Sequence, residues 1–191
     1  MQKSEVNEMH STATVQKLKA PPLRACDEAF HSSFYMPYEA AACSLFPVLC
    51  AARAALSESA EAHPVQAVTY RLKSPSSVRE KLRKKGLPAT ESAASAALHD
   101  IAGMRVVLSS VDDVYRYAKL IRKSPGIEYF GEHDYIASPK PSGYQSLHLL
   151  LRVPVCCGGE SLMVPVELQL RTAAMDLWAS IEHALCYKPL K

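Results

Sequence analysis

Two alternating stretches joined by a short glycine turn constrain the fold more than any other feature of this sequence. Residues 147–153 and 164–171 each place an apolar side chain at every second position, and Gly158-Gly159 lies between them. Side chains along a strand point alternately to the two faces of a sheet, so the pattern predicts an antiparallel hairpin with one apolar face. Strand geometry alone favours solvent for the opposite face of the second strand, and an active-site wall is the alternative. The polar residues on this face of the second strand are Glu167, Gln169 and Arg171.

The rest of the chain alternates between predicted helices and strands around this hairpin. Periodicity, capping residues and turn signals predict helices within 23–60 that are broken near Pro37 and bent near Pro47, followed by a strand at 65–72 and a helix beginning at Ser77. A mobile loop at 86–97 and a buried strand after Asp100 come next. They are followed by a helix at 112–123, a short strand at 127–130 and, after the hairpin, a helix at 173–187. This order predicts an α+β (mixed α/β) fold, in which helices pack on a mixed sheet of about five strands.

The last predicted helix carries an apolar ladder with a spacing of four residues, formed by Leu177, Ile181 and Leu185. Residues four apart lie on the same face of a helix, so we expect this face to pack against the sheet. Met175 and Trp178 are expected to add further core contacts.

Length and composition indicate one soluble domain. The 191 residues suffice for a hydrophobic core, and 48% apolar with 21% charged residues is typical of a globular protein. Residues 1–22 are polar and end at Pro21-Pro22, so we expect a disordered tail followed by a single domain at residues 23–191. The net charge of +3 is too small to indicate a duplex DNA partner.

Neither a secretory leader nor a membrane anchor is predicted. Residues 1–20 lack an apolar core segment. The apolar run at 40–56 is interrupted by Pro47 and Arg53 and is short for a bilayer, so we expect a buried amphipathic helix. The six cysteines lack the spacing of a metal site, and we interpret them as free thiols, packed in the interior of a cytoplasmic protein.

A concentrated basic segment at residues 71–85 holds seven cations and one acid. Residues 77–80 fit a capping box, which places Lys81 and either Lys84 or Lys85 on one face near the start of a helix. Backbone amides at a helix N-terminus and nearby ammonium groups form a good anion site, whereas a solvated basic helix is the alternative. Two further cations at alternate positions of the preceding strand can project beside the helix start, Arg71 and Lys73.

Asp100 lies immediately before a predicted buried strand that contains Arg105. A carboxylate at the edge of a strand can hold a Mg²⁺ ion that bridges phosphates. Capping of a helix or a turn is the alternative role for this aspartate.

A rigid loop is predicted within residues 133–148, because Pro139 and Pro141 lack backbone donors and Gly143 permits unusual backbone angles. The loop leads into the first strand of the hairpin. A cation, an aromatic ring and several hydrogen-bonding groups on a stiff loop suit a nucleotide, with the lysine on phosphate and the ring on a base. A solvated turn is the alternative. The side chains concerned are Lys140, Tyr144, Gln145, Ser146 and His148.

Five motifs in this order closely resemble the synthetase domain of RelA/SpoT homologues, over about residues 40–188. They are Arg71-x-Lys73-Ser-Pro, Asp100-Ile-Ala-Gly-x-Arg105, Asp134-Tyr-Ile-x-x-Pro-Lys140-Pro-x-Gly-Tyr144-x-Ser-x-His148, Val-Glu167-Leu-Gln169-Leu-Arg171-Thr, and Met175-x-x-Trp178-Ala-x-x-Glu182-His183. The resemblance implies a nucleotidyltransferase-like fold and a small alarmone synthetase. Such an enzyme transfers the β,γ-diphosphate of ATP to the 3′-hydroxyl of GDP or GTP with Mg²⁺, in the stringent response.

The resemblance also implies a role for individual residues. For ATP, Arg71 and Arg105 hold adenine, and the phosphates are taken by Lys73, Ser77, Lys81 and Lys84. Asp100 and Glu167 are the implied catalytic residues and Mg²⁺ ligands, and Glu167 also draws the proton from the 3′-hydroxyl. For the acceptor, Tyr144 stacks on guanine, and the other contacts are Lys140, His148 and Gln169. These roles favour an active-site wall over a solvent face for the polar strand positions.

Departures from the family pattern leave some properties open. Ser142 stands where asparagine is usual, and His133 occupies a position that is often charged, so preference for GDP or GTP is open. The chain ends at Lys191, before the helical sequence that often helps these proteins to form tetramers, so a homo-oligomer is possible but not implied. Two other functions compete: a toxin-type relative that modifies tRNA 3′ ends or adenine nucleotides, and an inactive nucleotide-binding module.

Overall fold

The computed structural model describes residues 30–57 and 64–187, which build one five-stranded sheet in the order β1-β2-β5-β4-β3. The strands are β1 (Val65–Leu72), β2 (Ala102–Leu108), β3 (Glu128–Asp134), β4 (Leu147–Cys157) and β5 (Glu160–Thr172). Only the β2–β5 pair is parallel among these strands. The predicted mixed sheet and the α+β class are confirmed. The predicted tail at residues 1–22 lies outside the described residues.

Five helices accompany the sheet in the described part of the chain. They are α1 (Ser32–Ser57), α2 (Pro75–Lys84), α3 (Glu91–Ala97), α4 (Val111–Arg122) and α5 (Ala173–Tyr187). Helices α1 and α4 cover the apolar face of the sheet, where every second residue of the central strands is buried. The buried hydroxyl of Tyr117 on α4 donates to the carbonyl of Leu49 on α1 at 2.7 Å, which links the two helices.

Helix α1 runs unbroken through Pro37 and Pro47, so the predicted break was wrong. A proline removes the hydrogen bond to the carbonyl four residues earlier, here that of Ser33 or Cys43. Both residues are exposed, so water can bond these carbonyls, while buried residues on the opposite side of the helix hold its path. By length and composition α1 could cross a membrane, and nine of its 26 residues are buried within this protein.

Three elements near the polar face differ from the sequence predictions: the start of α2, the presence of α3 and the end of β3. Helix α2 begins at Pro75 rather than at Ser77, because Ser74 caps it and accepts from the Ser77 amide at 3.3 Å. The predicted mobile loop at 86–97 contains α3, which Thr90 caps through the Ala93 amide. Strand β3 continues to Asp134 because residues 128–134 pair with β4, so the rigid loop begins after it.

The apolar ladder of α5 does not enter the core, contrary to expectation. Leu177, Ile181 and Leu185 are exposed, as is Trp178, whereas Met175 is buried. Since α5 contacts the sheet through a narrow stripe that includes Met175 and Ala179, the ladder lies on the outer side of the helix.

The expectation of buried cysteines was also wrong for three free thiols that are exposed, those of Cys43, Cys50 and Cys156.

Candidate active site

The face of the sheet opposite α1 and α4 gathers most of the polar residues singled out in the sequence. Two rows of paired residues cross its strands, and each row lies on this face because paired residues share a face. One row is Arg71, Gly103, Glu167 and Leu150, and the next is Thr69, Arg105, Gln169, His148 and His133. Gln169 and Arg171 are 8% and 3% exposed, so β5 forms the wall of a cleft rather than a solvent face.

Asp100 lies at the entrance to β2, where two lysines converge on one of its oxygens. Its Oδ2 atom is 2.7 Å from Nζ of Lys73 and 2.6 Å from Nζ of Lys81. Burial by itself raises the pKa of Asp100, but the hydrogen bonds and charges of the two lysines outweigh it and hold the pKa below its ordinary value. The other oxygen, Oδ1, is buried and has no hydrogen-bond partner among the described residues.

The start of α2 lies beside this carboxylate and carries three serines. The hydroxyl of Ser74 is 3.0 Å from that of Ser76 and 2.9 Å from that of Ser77. Ser77 therefore stands at a helix N-terminus within reach of an anion that approaches Lys81. Lys84 differs, because it is exposed and pairs with Glu80 one turn earlier at 2.7 Å. The structure thus brings Lys73 and Lys81 to Asp100, but directs Lys84 towards solvent.

Both carboxylate oxygens of Glu167 have partners within the wall of the cleft. Oε2 is 3.3 Å from Nδ1 of His148, and Oε1 accepts a hydrogen bond from the Gln169 amide at 2.7 Å. Burial raises the pKa of Glu167, but the contacts with His148 and Gln169 outweigh it and lower the pKa to about 2. The charge of Asp100 acts in the opposite sense and raises the pKa of Glu167. Glu167 is therefore ionised at neutral pH.

Tyr144 and His148 stand beside this carboxylate in an aromatic cluster. The Tyr144 hydroxyl is 2.9 Å from Nε2 of His148, and Tyr135 packs against both rings. The ammonium of Lys140 lies 4.6 Å from the centre of the Tyr144 ring and 4.5 Å from that of Tyr135. Tyr144 is only 8% exposed. The predicted acceptor residues are thus contiguous, with the lysine over the ring that would receive a base.

The loop that carries Lys140 and Tyr144 is fixed by its own geometry and by α5. Gly143 has a φ of +80°, a region that favours glycine, and a Cβ atom at this position would approach Nε1 of Trp178 to 3.4 Å. The indole of Trp178 donates to the carbonyl of Ser142 at 3.2 Å. Trp178 therefore holds the loop from the side of α5 rather than adding to the core.

A narrow cleft lies between Arg71 on β1 and Arg105 on β2, with Gly103 and Gln169 among its lining residues. Gly103 faces Arg71 across the strand pair and contributes no side chain, which leaves a slot beside the two guanidinium groups. Arg105 pairs with Asp176 of α5 at 3.0 Å, and its buried Nε has no partner among the described residues. Planar guanidinium groups beside an open slot suit a flat aromatic base.

Sequence reasoning placed Arg171 on the polar strand face without a role, and it missed Asp176. In the structure Arg171 is among the most connected side chains of the cleft, with contacts to Ser146, Tyr144, Gln169 and Asp176. Asp176 lies in the first turn of α5, five residues after Arg171. A carboxylate at a helix start, directly after a strand with a polar face, was the available signal.

The cleft as a whole can bind a polyphosphate and accept a proton. Lysines and a helix N-terminus supply positive charge, and Glu167 supplies an ionised carboxylate on the adjoining strand. The described residues contain no group of three or more His, Cys, Asp or Glu side chains that could hold a metal ion. Mg²⁺ commonly binds through one or two carboxylates together with water and substrate phosphates, so the buried Oδ1 of Asp100 fits such an ion.

Known proteins resemble this chain in sequence and in fold. The family described as "Region found in RelA / SpoT proteins" matches residues 70–191. GTP pyrophosphokinase YwaC of Bacillus subtilis is 38% identical over 126 residues, which are 66% of this chain and 60% of YwaC. GTP pyrophosphokinase YjbM of the same organism is 35% identical over 162 residues, 85% of this chain and 75% of YjbM.

A solved structure of small alarmone synthetase 1 from Bacillus subtilis, bound to its product pppGpp, superimposes with a TM-score of 0.74. It shares 34% identity, and the alignment covers 81% of this chain and 78% of that chain. The family inferred from the sequence motifs is confirmed. The chain belongs to the RelA/SpoT family and resembles its small alarmone synthetases in both sequence and fold.

Proposed function

We propose that this protein is a (p)ppGpp synthetase, a GTP pyrophosphokinase that transfers the β,γ-diphosphate of ATP to the 3′-hydroxyl of GDP or GTP. The observation that carries the proposal is a pair of carboxylates, Asp100 at the entrance to β2 and Glu167 on the adjacent strand β5. Asp100 forms ion pairs with Lys73 and Lys81. Glu167 contacts His148 and Gln169, and the charge of Asp100 raises its pKa. Relatives that are named GTP pyrophosphokinases support the same reaction.

The donor ATP lies over β1 and β2 in this proposal. Its adenine enters the slot above Gly103 between Arg71 and Arg105, and its phosphates meet Lys73, Ser77 and Lys81. Lys84 serves the outer phosphate only if its ammonium leaves Glu80, since the two are paired. Small alarmone synthetase 1 of Bacillus subtilis, whose fold this chain shares, has been solved with AMPCPP, which supports an adenine nucleotide as donor.

Mg²⁺ is the proposed cofactor, held by Asp100 and Glu167. The unpartnered Oδ1 of Asp100 is the oxygen of that aspartate available to the ion. When bound, the ion neutralises charge on the diphosphate that is transferred. Lys73 and Lys81 lie beside the same carboxylate, from which their ammonium groups can bind the phosphates of ATP. Asp100 therefore keeps both lysines close to the proposed site of the ATP phosphates.

Glu167 is the proposed general base, and its contacts adjust how strong a base it is. A carboxylate with a pKa of about 2 is ionised but takes protons poorly. Gln169 and His148 are the groups that lower this pKa, so an acceptor ribose that draws either of them away raises it. The proton of the 3′-hydroxyl then passes to Glu167 as the 3′-oxygen bonds to the β-phosphorus. The bond from the β-phosphorus to the oxygen bridging to the α-phosphate breaks, and AMP leaves.

The acceptor guanine stacks on Tyr144 in this proposal. Lys140 now covers that ring, so its ammonium has to swing aside as the base arrives. An acceptor diphosphate gives this ammonium a new partner of opposite charge. The swing of Lys140 therefore links recognition of the base to recognition of the acceptor phosphates.

A product assay with γ-labelled ATP tests the function. Purified protein is incubated with Mg²⁺ and, in separate reactions, GDP, GTP, AMP, ADP or deacylated tRNA, and the products are separated. Label on GDP or GTP is the expected result and also gives the acceptor preference. Label on tRNA or adenine nucleotides alone would assign the toxin-type activity, and binding of ATP without transfer would assign an inactive binding module.

A cytoplasmic location and a homo-oligomer complete the proposal. The exposed ladder of α5 formed by Leu177, Ile181 and Leu185 supports self-association, because apolar side chains at regular helical spacing suit a helix–helix contact. Sedimentation analysis of the wild type and of Ile181→Glu tests it. A larger species that dissociates in the variant is expected, and a monomeric wild type would contradict it.

A further inference from the structure

Asp176 sits between two arginines that belong to different parts of the cleft. Its Oδ1 atom is 3.0 Å from Nη1 of Arg105 and 3.2 Å from Nη1 of Arg171. Arg105 lines the slot proposed for adenine. Asp176 lies in the first turn of α5, where the positive end of the helix dipole favours a carboxylate. One oxygen therefore receives two charged donors from neighbouring strands.

Arg171 carries this contact to the acceptor side. Its buried guanidinium donates to the Ser146 hydroxyl at 3.3 Å and to the Gln169 side-chain carbonyl at 2.9 Å, and also to the Tyr144 hydroxyl. Tyr144 in turn meets His148, and both His148 and Gln169 hold Glu167. An unbroken series of polar contacts thus runs from the adenine slot to the proposed base.

The negative charge of Asp176 offsets the repulsion between neighbouring arginine side chains. Burial lowers the pKa of Arg105, and the charges of Arg171 and Arg71 lower it further. Asp176 is the carboxylate that opposes this effect at Arg105. Without that charge, Arg105 would move away from Arg171 into solvent, since its side chain is already 31% exposed. Arg171 would move less, because three other acceptors hold it.

We propose that Asp176 is a positioning residue that fixes Arg105 for the ATP base and couples the donor and acceptor halves of the cleft through Arg171. The proposal rests on the proposed function for the identity of the nucleotides. The carboxylate itself touches neither nucleotide. Its effect on ATP passes through Arg105, and its smaller effect on the acceptor passes through Arg171.

The test is a double-mutant cycle on binding, with Asp176→Asn, Arg105→Ala and the double variant. Affinities for AMPCPP and GDP are measured by calorimetry. Asp176→Asn is expected to weaken AMPCPP binding by about tenfold, the scale of one charge-assisted hydrogen bond, and to weaken GDP binding by about threefold or less. Arg105→Ala should weaken AMPCPP binding strongly, and adding Asp176→Asn to it should change little further. The proposal would be overturned if Asp176→Asn weakened AMPCPP binding and GDP binding equally. It would also be overturned if Asp176→Asn weakened AMPCPP binding as much in the Arg105→Ala background as in the wild type.

Two further variants separate positioning from folding. Glu132→Gln removes a carboxylate that pairs with Arg122, at an exposure similar to that of the Arg105–Asp176 pair but outside the cleft, and should leave both affinities unchanged. Asp176→Glu keeps the charge and should restore most of the AMPCPP affinity lost in Asp176→Asn. Failure of this rescue would overturn the role of the charge. The binding cycle stays informative even if the wild type transfers no diphosphate, so it fails independently of the proposed function.

Discussion

The two faces of the same five strands are stabilised in different ways. On the covered face Leu149, Met104 and Leu168 are almost fully buried against each other and against the helices. On the cleft face, Glu167 and Gln169, which flank Leu168 in sequence, are held by hydrogen bonds and charge. Apolar contacts on the first face tolerate small shifts in direction, whereas each polar group on the second face requires a particular partner.

Stability and chemistry therefore depend on different faces of the same strands. Changes on the covered face are expected to alter the free energy of unfolding, and changes on the cleft face to alter binding and catalysis. Because neighbouring residues of one strand point to opposite faces, matched variants one residue apart can test the separation.

The largest effect is expected for Glu167→Gln. Glutamine keeps the size of the side chain but cannot take the proton of the 3′-hydroxyl, so kcat should fall by about 10²–10⁴-fold. Affinity for AMPCPP, measured by calorimetry, should change little, since the proposed donor site lies mainly over β1 and β2. Activity close to that of the wild type would remove Glu167 from the role of base.

Leu168→Ala tests the other face at the adjacent position. Leu168 has no exposed surface, and truncating a buried leucine costs about 2–5 kcal/mol of stability. Urea unfolding should show this loss, while kcat per folded molecule stays near the wild-type value. A large fall in kcat with little loss of stability would show that the two faces are not separable at β5.

Tyr144→Ala should weaken GDP binding by about 1–3 kcal/mol, the usual scale for losing one stacked base. Tyr144→Phe is the control, because it keeps the ring but loses the hydroxyl contacts with His148 and Arg171. We expect Tyr144→Phe to retain most GDP affinity and to lose mainly kcat. If calorimetry finds both variants equally weak, the hydroxyl network rather than stacking binds the acceptor.

Acid should weaken the cleft face selectively. The pKa of Glu167 is lowered from 4.5 to about 2, so its contribution to stability is complete above about pH 4.5 and is lost as the pH falls towards 2. Thermal unfolding of the wild type should therefore lose stability over this window. Glu167→Gln should lose less, whereas Leu168→Ala should parallel the wild type from a lower starting value. Parallel curves for all three proteins would contradict the lowered pKa.

Much of the site was predictable because the motif residues fall at strand positions whose facing is fixed by alternation. The hairpin placed Glu167, Gln169 and Arg171 on one face, and the structure keeps them there. Whether that face met solvent or formed a cleft was not a local property. It depends on α5, which begins directly after β5, and on the loop before β4, whose Tyr144 lies 27 residues before Arg171 in the sequence.

The failed predictions share this cause. The i+4 ladder of α5 has the period of a core helix, but period alone does not say which side of a helix meets the sheet. Pro37 and Pro47 are helix breakers in isolation, and packing on the buried side of α1 overrides them. Asp176 was missed because its importance comes from two arginines that only the sheet brings together.

The smallest effect is expected for Gly103→Ala, which places a methyl group on the floor of the slot between Arg71 and Arg105. A Cβ atom there would lie 3.8 Å from Cγ of Arg71, an ordinary contact, and alanine is favoured over glycine within a strand by about 0.5–1 kcal/mol. Stability should therefore be kept or raised slightly, while the KM for ATP rises by about threefold because the base sits less deeply. An unchanged KM and AMPCPP affinity would show that the base does not lie over Gly103. This variant would then be a change on the cleft face that affects folding alone, and the functional division between the two faces would not extend to β2.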